Sequence, residues 1–371
     1  MDFNFSEDQQ QLRDAVAKWV EKGYDFERRR HIVAEGGFSR EAYGELAELG
    51  LTGLALPESM GGLGMGPVEA MVVMEELGRG IVLEPLAQSI VAGVVLAHHA
   101  NADMQQAWGP RLASGEALVV LAHQERKSRY RLDDCATTAL ANGAAYALSG
   151  TKSIVPVGDR ADAYMVPAMR DGKMGLYLVL AGASGASTRG YLTQDGGRAA
   201  ELKLDQAPAA LITEQGEVAM AHAVDVGIAA LCAEAVGAME KTLALTVEYM
   251  NTRKQFGVTI ATFQALRHRV SDMKMQLELA RSMSYYATLK LTAPSQERSL
   301  AISRAKYQLG QSMRFVGQQA IQLHGGIGVT DEYSVSHYFK RLTQIEMTLG
   351  DSLHHLAQVS AGMQDTAGVF A

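Results

Sequence analysis

Apolar positions follow a helical period at both ends of the chain, whereas the middle third contains short apolar runs of strand length. The pattern therefore predicts a mostly α-helical protein with a central β domain. We place an N-terminal helical domain at residues 1–112, a small antiparallel β-barrel at residues 113–212 and a C-terminal four-helix bundle at residues 213–371.

Local signals mark several helices in the N-terminal region. Ser6 and Gln9 form a predicted capping box, and the apolar residues that follow recur at helical spacing. Pro67 is suited to the first position of a helix, and the residues up to Leu77 continue it. A further helix is predicted at residues 88–99.

The middle region shows short apolar runs with Gly and Asp turns between them, a pattern typical of a small barrel or sandwich. The predicted strands lie at residues 117–122, 163–168, 176–180 and 200–204. Residues 146–156 are interpreted as two short strands with a turn between them, and residues 181–187 as a surface loop of small residues.

The C-terminal region contains long apolar-periodic stretches with short connections, which indicates an antiparallel bundle. The predicted helices lie at residues 228–252, 265–291, 296–323 and 352–362. Pro294 marks the break between the second and the third of them.

Composition narrows the class of protein. Of the 371 residues, 47% are hydrophobic and 20% charged, which is typical of a folded soluble protein, and the formal net charge of -7 argues against a nucleic-acid partner. No apolar run approaches the roughly 18 residues that a membrane span requires, and the acidic N-terminus does not resemble an export signal. Cys135 and Cys232 lie far apart without metal-ligand spacing. We therefore expect a cytoplasmic protein with no membrane contact and no metal.

Two glycine-ended segments carry the candidate chemistry. Residues 251–257 and 322–328 each follow a long predicted helix, and glycine allows a helix to end in the left-handed conformation. Arg253 offers a planar five-donor guanidinium suited to a diphosphate, and Gly325-Gly326 allows a ligand to approach bare backbone. Together they predict an anion cradle for an ADP-type ligand, with ordinary helix capping as the alternative interpretation.

These segments also resemble a known family. Arg253-x-x-Phe256-Gly257, then Phe263-Gln264, then Gln322-x-x-Gly325-Gly326-x-Gly328 are similar to the C-terminal domain of the acyl-CoA dehydrogenases. Residues 50–64 resemble the N-terminal turn of that family, and Glu75-Glu-Leu-Gly78 the helix after it. The likeness covers essentially the whole chain. It implies the fold of the family, FAD as the cofactor and an acyl-CoA thioester as the substrate.

The resemblance assigns roles around the ADP half of FAD. Arg253 matches the arginine that reaches the pyrophosphate of the FAD bound by a neighbouring subunit. The other cofactor-binding positions that the resemblance implies are Gln255, Phe256, Gln264, Gln322, Gly325 and Gly326.

The flavin-facing segments depart from the family pattern. Residues 121–125, Leu-Ala-His-Gln-Glu, stand where relatives carry a glycine-containing Thr-Glu-Pro-Gly-Ala-Gly stretch. Ile154 and Pro156 take the places of a customary tryptophan and threonine, although Gly150-Thr-Lys152 before them is present. Only backbone groups, those of Val155 or Val157, remain to donate to the flavin ring.

The catalytic base is the largest departure. Removal of a proton α to a thioester carbonyl requires a carboxylate in an apolar cleft. Gly350 stands at the customary glutamate position, with Asp351 one residue later, and the other family position falls near Gly227. Asp351 and Glu234 are therefore the catalytic candidates, with Asp225 a third. Their alternative interpretations are structural: a helix cap for Asp351 and a buried hydrogen bond for Glu234.

Two hypotheses for the function follow from the resemblance. The first is FAD-dependent α,β-dehydrogenation of an acyl-CoA to the trans-2-enoyl-CoA, with the α-proton moving to a carboxylate and the β-hydride to the flavin. The second is a non-catalytic small subunit that completes the FAD site of a heteromeric acyl-CoA dehydrogenase. Both predict a homo-oligomer or hetero-oligomer and an electron-accepting partner protein. A cofactor-free helical scaffold would leave Arg253 and Gly325-Gly326 unexplained.

Overall fold

A computed structural model describes residues 5–143 and 145–364. The described chain forms two compact units. The bundle unit contains the chain up to Arg29, Met71–Val82 and the chain from Ile228 onward. The barrel unit contains Arg30–Ala70 and Leu83–Gly227. The order of helical, β and helical regions that the sequence predicts is confirmed.

The change from helices to strands and back occurs close to the predicted boundaries. The helices are α1 (Glu7–Gly23), α2 (Phe26–Ala34), α3 (Arg40–Glu48), α4 (Pro67–Arg79), α5 (Leu86–His99), α6 (Ala102–Ala113), α7 (Gly216–Thr252), α8 (Gln264–Lys290), α9 (Ser295–His324), α10 (Ser334–Met347) and α11 (Ser352–Gln364). The strands are β1 (Val119–Leu121), β2 (Thr138–Asn142), β3 (Ala145–Pro156), β4 (Ala163–Arg170), β5 (Lys173–Leu180), β6 (Ala186–Leu192), β7 (Arg198–Thr213), β8 (Lys254–Gln255) and β9 (Val258–Thr259). The domain boundaries at residues 112/113 and 212/213 stay predictions.

In the bundle unit, α9 packs against α8, α10 and α11. The predicted capping box is present at the start of α1, where the Gln9 amide donates to the Ser6 hydroxyl. The sequence analysis missed α10, although its buried residues recur at helical spacing: Val335, Tyr338, Leu342 and Ile345. The described part of this region therefore holds five helices, from α7 to α11, around the predicted bundle.

Helix α7 is longer than the sequence analysis predicts. It begins at Gly216, twelve residues before the predicted start at 228, and has 37 residues. An 18-residue window in it has a mean hydropathy of 1.5, so by length and composition alone this helix is apolar enough to cross a membrane. The expectation that no run approaches such a composition is therefore wrong. Since 83% of that window is buried within the structure, packing accounts for its apolar character.

Two glycines allow α4 and α7 to touch through their backbones in the bundle unit. A methyl group added at Gly78 would meet the Glu234 carbonyl oxygen, and one added at Gly237 would meet the Glu75 carbonyl oxygen. Both contacts would be closer than any real Cβ contact. Interiors of proteins are close-packed, so a Cβ at either position would force the helices apart.

The strands of the barrel unit form a mostly antiparallel sheet that closes on itself. The order β1-β4-β2-β3-β7-β5 returns to β4 through the β4–β5 pairing, and β6 pairs with β7. Two pairings, β1 with β4 and β2 with β4, are parallel. The closed sheet encloses a core of alternating inward residues that includes Leu148, Tyr164 and Leu202.

Three details of the strand prediction are wrong. Residues 146–156 belong to one continuous strand, β3, whose register against β7 shifts after Leu148 and again after Lys152. These shifts are bulges, which bend a strand without ending it. Residues 186 and 187 of the predicted small-residue loop begin β6, and β2 was not predicted.

Candidate functional site

The Arg253 motif forms a hairpin directly after α7. Strands β8 and β9 pair around Phe256 and Gly257, whose φ angles are +53° and +83°. Positive φ at both central residues is the geometry of a type I′ turn. Gly257 therefore turns a hairpin, and its predicted role as the residue that ends the helix is wrong, since α7 already ends at Thr252. The Arg253 carbonyl accepts a hydrogen bond of 2.9 Å from the Ile260 amide.

The predicted cofactor residues of this hairpin and of the start of α8 are all exposed. Phe256 has 91% of its surface exposed, and Arg253, Gln255 and Gln264 are exposed as well. The ring of Phe256 meets that of Phe263 edge-on, with 6.2 Å between ring centroids, so the hairpin lies against the start of α8. Val258 and Phe263 are exposed as well, and clustered exposed apolar side chains are typical of a surface that another molecule covers.

The second motif ends α9 as predicted. Gly325 has a φ of +65°, and its amide donates to the carbonyls of Ile321 and Gln322. A Cβ added at Gly325 or Gly326 would meet no atom within 4 Å, so this backbone is open to a ligand. Gln322 is exposed beside it.

Aromatic stacking brings the two motifs together. The rings of Tyr249, one turn before Arg253, and His324, directly before Gly325, stack with 4.5 Å between centroids and 27° between planes. Tyr333 contacts both rings. The His324 Nδ1 lies 2.8 Å from the Ala320 carbonyl oxygen, and burial lowers the pKa of this histidine. A neutral His324 supports the site by packing and adds no charge to it.

These features fit the ADP half of FAD. An exposed guanidinium and two glycines with open backbone provide charge-assisted donors and close access for a diphosphate. Arg253, Gln322, Gly325 and Gly326 are the residues that would hold it. The cofactor-binding roles of these four residues and of Gln255, Phe256 and Gln264 stay predictions; the structure places the last three near Arg253.

In the barrel unit, the segment that replaces the family's glycine stretch is organised around a buried ion pair. Glu125 accepts hydrogen bonds from the Lys152 ammonium at 2.7 Å, the Thr137 hydroxyl at 2.7 Å and the Ala136 amide at 2.8 Å. Burial acts to raise the pKa of Glu125, but Lys152 and these donors outweigh it and lower that pKa to about 2. The sequence analysis missed this pair, although a lysine inside an apolar strand was a signal for it.

The two segments that the resemblance predicts to face the flavin lie side by side. The Ser153 amide donates to the Gln124 carbonyl at 2.8 Å. Ile154 sits in the bulge of β3 with a φ of +54° and is 45% exposed. A β-branched residue in this conformation is strained, and such strain persists where the surrounding structure holds it.

The structure gives each catalytic candidate a structural contact. Both carboxylate oxygens of Glu234, which is 3% exposed, bind the Arg341 guanidinium, at 2.6 and 2.8 Å. The half-buried Asp351 accepts a hydrogen bond of 2.9 Å from the His354 amide and so caps α11. Asp225 is buried on α7 within the barrel unit. The catalytic role of all three stays a prediction.

Buried groups fix the loop that carries Gly350 and Asp351. The Lys306 ammonium donates to the carbonyls of Ile345 and Glu346 at the end of α10, and burial lowers the pKa of Lys306 to about 8. His355 contacts the Leu349 carbonyl at 3.1 Å and the Ser303 hydroxyl at 3.2 Å. Gly350 has a φ of +111°, and a Cβ there would collide with the His355 ring. The customary glutamate would therefore not fit at position 350 without rearrangement.

Histidines do not gather into a metal centre in the described ranges 5–143 and 145–364. No group of three His, Cys, Asp or Glu side chains there is arranged to hold an ion.

Comparison with known proteins agrees with these features. Residues 6–116 match the family model "Acyl-CoA dehydrogenase, N-terminal domain", and residues 214–364 match "Acyl-CoA dehydrogenase, C-terminal domain". The acyl-CoA dehydrogenase FadE27 of Mycobacterium tuberculosis is 28% identical over 99% of this chain and 100% of its own length. The acyl-CoA dehydrogenase IpdE2 of the same organism is 30% identical over 90% and 91%.

A solved structure shows the same fold over the full chain. The ChsE4–ChsE5 complex from Mycobacterium tuberculosis contains a chain that is 27% identical, with a TM-score of 0.91 over 99% of this chain and 100% of that one. With both family domains matched in order and a 30% identical relative covering nine-tenths of the sequence, the chain belongs to the acyl-CoA dehydrogenase family, whose members are FAD-dependent flavoproteins.

Proposed function

We propose that this chain is the accessory subunit of a heteromeric acyl-CoA dehydrogenase. Its exposed Arg253 hairpin and the open backbone at Gly325-Gly326 complete an FAD site together with a related chain. The related chain supplies the carboxylate that removes the α-proton of the acyl-CoA. Bound FAD supplies the hydride acceptor, and the product is the trans-2-enoyl-CoA.

The observation that carries this proposal is the ion pair of Glu234. A general base needs a carboxylate oxygen directed at the proton that it removes. Arg341 occupies both oxygens of Glu234 in a bidentate pair, which is the strong geometry for an arginine and a carboxylate. Asp351 in turn caps a helix. Neither carboxylate has the arrangement that a base requires.

Two further observations support a site shared between chains. Phe256 stands where the family packs an aromatic residue on the cofactor, and it forms an exposed apolar cluster with Val258 and Phe263 that favours a covering molecule. The ChsE4–ChsE5 structure, which this chain matches over its full length, is a complex of two differently named chains.

The second candidate function is a complete acyl-CoA dehydrogenase with Asp351 as the base. The specific observation in its favour is that Asp351 is only half-buried and follows Gly350, the customary base position. Aspartate is one methylene shorter than glutamate, so the loop would have to bring it nearer to the substrate. The contact of the buried His355 with the Leu349 carbonyl of this loop opposes such a movement.

Expression of the chain alone and with a related chain from the same genome tests the proposal. We expect weak flavin absorbance alone and full absorbance, with activity on a panel of acyl-CoAs, in the co-expressed complex. In that complex, Asp351→Asn, Glu234→Gln and Asp225→Asn should keep activity, whereas loss of a true base costs about 10²–10⁴ in rate. A full flavin complement and activity in the chain alone, abolished by Asp351→Asn, would establish the second candidate instead.

A further inference from the structure

The segment that begins with Gly325-Gly326 is fastened to the start of α10. Residues 325–333, here called the glycine loop, connect the end of α9 to α10. The Ser336 hydroxyl, in the first turn of α10, lies 2.7 Å from the Thr330 carbonyl oxygen and 3.1 Å from that of Tyr333. Side chains of α10 therefore fix the far end of the loop.

The glycine loop also returns to the stacked rings at the predicted ADP site. Tyr333, its last residue, contacts the rings of Tyr249 and His324, with 6.3 and 5.2 Å between centroids. His324 directly precedes the loop. Both ends of the loop thus meet the same group of rings, and a movement of the loop would move the open backbone at Gly325-Gly326.

His337 makes a further contact with the glycine loop, and this contact requires one form of its ring. The Nε2 atom lies 2.9 Å from the Asp331 carbonyl oxygen, and the Nδ1 atom lies 3.2 Å from Nη1 of Arg29. A carbonyl oxygen only accepts a hydrogen bond, and a guanidinium only donates. Both bonds therefore form only when the ring is neutral and carries its proton on Nε2.

Arg29 is fixed in the interior of the bundle unit. Its side chain is fully buried, and its Nε atom donates to the Ile81 carbonyl at 3.0 Å. The ring of Phe26 meets the His337 ring edge-on, with 5.0 Å between centroids. A proton on Nδ1 would set the N–H donors of two cations against each other at 3.2 Å. Since Arg29 is held on its other side, the histidine ring would have to move.

The surroundings of the ring favour its neutral form. Burial lowers the pKa of His337, and the positive charges of Arg29 and Lys340 lower it further. The carbonyl and the carboxylate of Asp331 act in the opposite direction, and that carboxylate is paired with Lys340 at 2.6 Å. These groups face the ring from α2, from α10 and from the glycine loop. Together they keep the pKa of His337 below the ordinary value for histidine, about 6.5.

We propose that His337 is a positioning residue for the cofactor: the neutral ring holds the glycine loop in the arrangement that binds FAD, and protonation of the ring releases the loop. The inference rests on the proposed function, because FAD is the ligand of that site. An arrangement that excludes a proton from Nδ1 makes FAD binding and protonation oppose each other. FAD binding should therefore weaken as the pH falls below about 6.5, where a released histidine takes up its proton.

Titration of the deflavinated protein with FAD at about pH 7.5 and about pH 5.5 tests this role, in whichever assembly retains flavin, the chain alone or the co-expressed complex. The unmodified protein should bind FAD up to about tenfold more weakly at the lower pH, which is about one unit below the ordinary pKa. His337→Gln keeps one acceptor and one donor but cannot titrate, so its affinity should not decrease with pH. His337→Leu removes both hydrogen bonds and should bind FAD about 3- to 10-fold more weakly at both pH values.

Calorimetry at about pH 6 in two buffers of different ionisation enthalpy gives a second measurement. FAD binding should release a larger fraction of a proton from the unmodified protein than from His337→Gln. Equal proton release from the two proteins would contradict the proposal.

His31→Gln is the matched control, because it removes an exposed histidine of α2 that pairs with Glu35. It should keep the pH dependence of the unmodified protein. The proposal is overturned if folded His337→Gln loses affinity at low pH as the unmodified protein does, or if His337→Leu binds FAD as tightly as the unmodified protein. Failure of the accessory-subunit proposal would appear separately, as a full flavin complement in the chain alone, and the same titrations would then be made on that chain.

Discussion

The rings of Tyr249 and His324 stack with 4.5 Å between their centroids and so fasten the end of α7 to the end of α9. Arg253 lies one turn after the first residue, and Gly325 directly after the second. The contact therefore holds together the two helix ends after which Arg253 and the open glycine backbone follow, although neither ring is among the predicted cofactor residues. Both rings belong to the bundle unit.

Removal of the Tyr249 ring should weaken FAD binding, although Tyr249 is not among the predicted FAD-binding residues. We expect Tyr249→Ala to lower flavin retention in the assembled complex, because a stacked aromatic pair contributes about 0.5–1.5 kcal/mol beyond its buried area. Tyr249→Phe keeps the ring and should retain flavin. The measurement is the flavin-to-protein ratio after prolonged dialysis. Equal retention by both variants would show that the stack does not position the site.

Arg253→Ala should weaken FAD binding about 10- to 100-fold, since a charge-assisted hydrogen bond contributes about 1.5–3 kcal/mol. Lys241→Ala, which removes an exposed cation from α7, is the control and should leave affinity unchanged. Fluorescence titration of the deflavinated complex with FAD measures the effect. A full flavin complement in the arginine variant would place this residue away from the cofactor.

Loss of the Glu234–Arg341 pair should lower the free energy of unfolding and leave the catalytic rate unchanged. Removing one partner of a buried pair is strongly destabilising, and the partial exposure of Arg341 reduces the expected cost of Glu234→Gln to about 1–3 kcal/mol. Arg341→Met should cost a similar amount, and the double variant less than the sum. Urea unfolding of the four proteins gives the coupling energy. A large loss of rate in Glu234→Gln with unchanged stability would instead identify a base.

Two glycine-to-alanine substitutions, one at the close contact of α4 and α7 and one in α3, should have opposite effects on the stability of the fold. Gly237→Ala should destabilise the fold by about 1–3 kcal/mol or more, because its methyl group overlaps the Glu75 carbonyl. Gly44→Ala, within α3 and with open space around it, should stabilise by up to about 1 kcal/mol through helix propensity. Thermal unfolding distinguishes the two substitutions. An unchanged melting temperature in Gly237→Ala would show that the helices do not touch there.

His355 should make stability depend on pH. Burial, with the positive charge of Lys306, lowers its pKa to about 3, whereas an unfolded histidine takes a proton near pH 6.5. Between these values the unfolded state binds more protons, so the free energy of unfolding decreases as the pH falls. From about pH 7.5 to about pH 5 this group removes up to about 2 kcal/mol.

The substitution His355→Gln, which cannot titrate, should therefore flatten the dependence of unfolding on pH in this interval. His268→Gln, at an exposed position on α8, is the control and should keep the slope of the unmodified protein. Urea midpoints at several pH values supply the comparison. A slope that is the same in all three proteins would mean that other groups govern the acid sensitivity.

Sequence patterns located the long helices closely because helical periodicity is a local property. The predictions of residues 265–291 and 296–323 differ from α8 and α9 by one residue at each end. The type of turn was harder to predict from the sequence. Gly257 was predicted to end a helix, but in the structure it lies at the turn of a hairpin. Positive φ is required in both settings, so the glycine alone does not distinguish them.

The sequence by itself determined the order of helical, β and helical regions, the family and the Arg253 and Gly325-Gly326 motifs, because these depend on residues close together in the chain. Only the tertiary structure decided which charged side chains form pairs. Glu234 meets Arg341, which is 107 positions away, and Glu125 meets Lys152, which is 27 positions away. A hydrophobic pattern shows that a charged side chain is buried, but only the packed fold shows which opposite charge makes that burial possible.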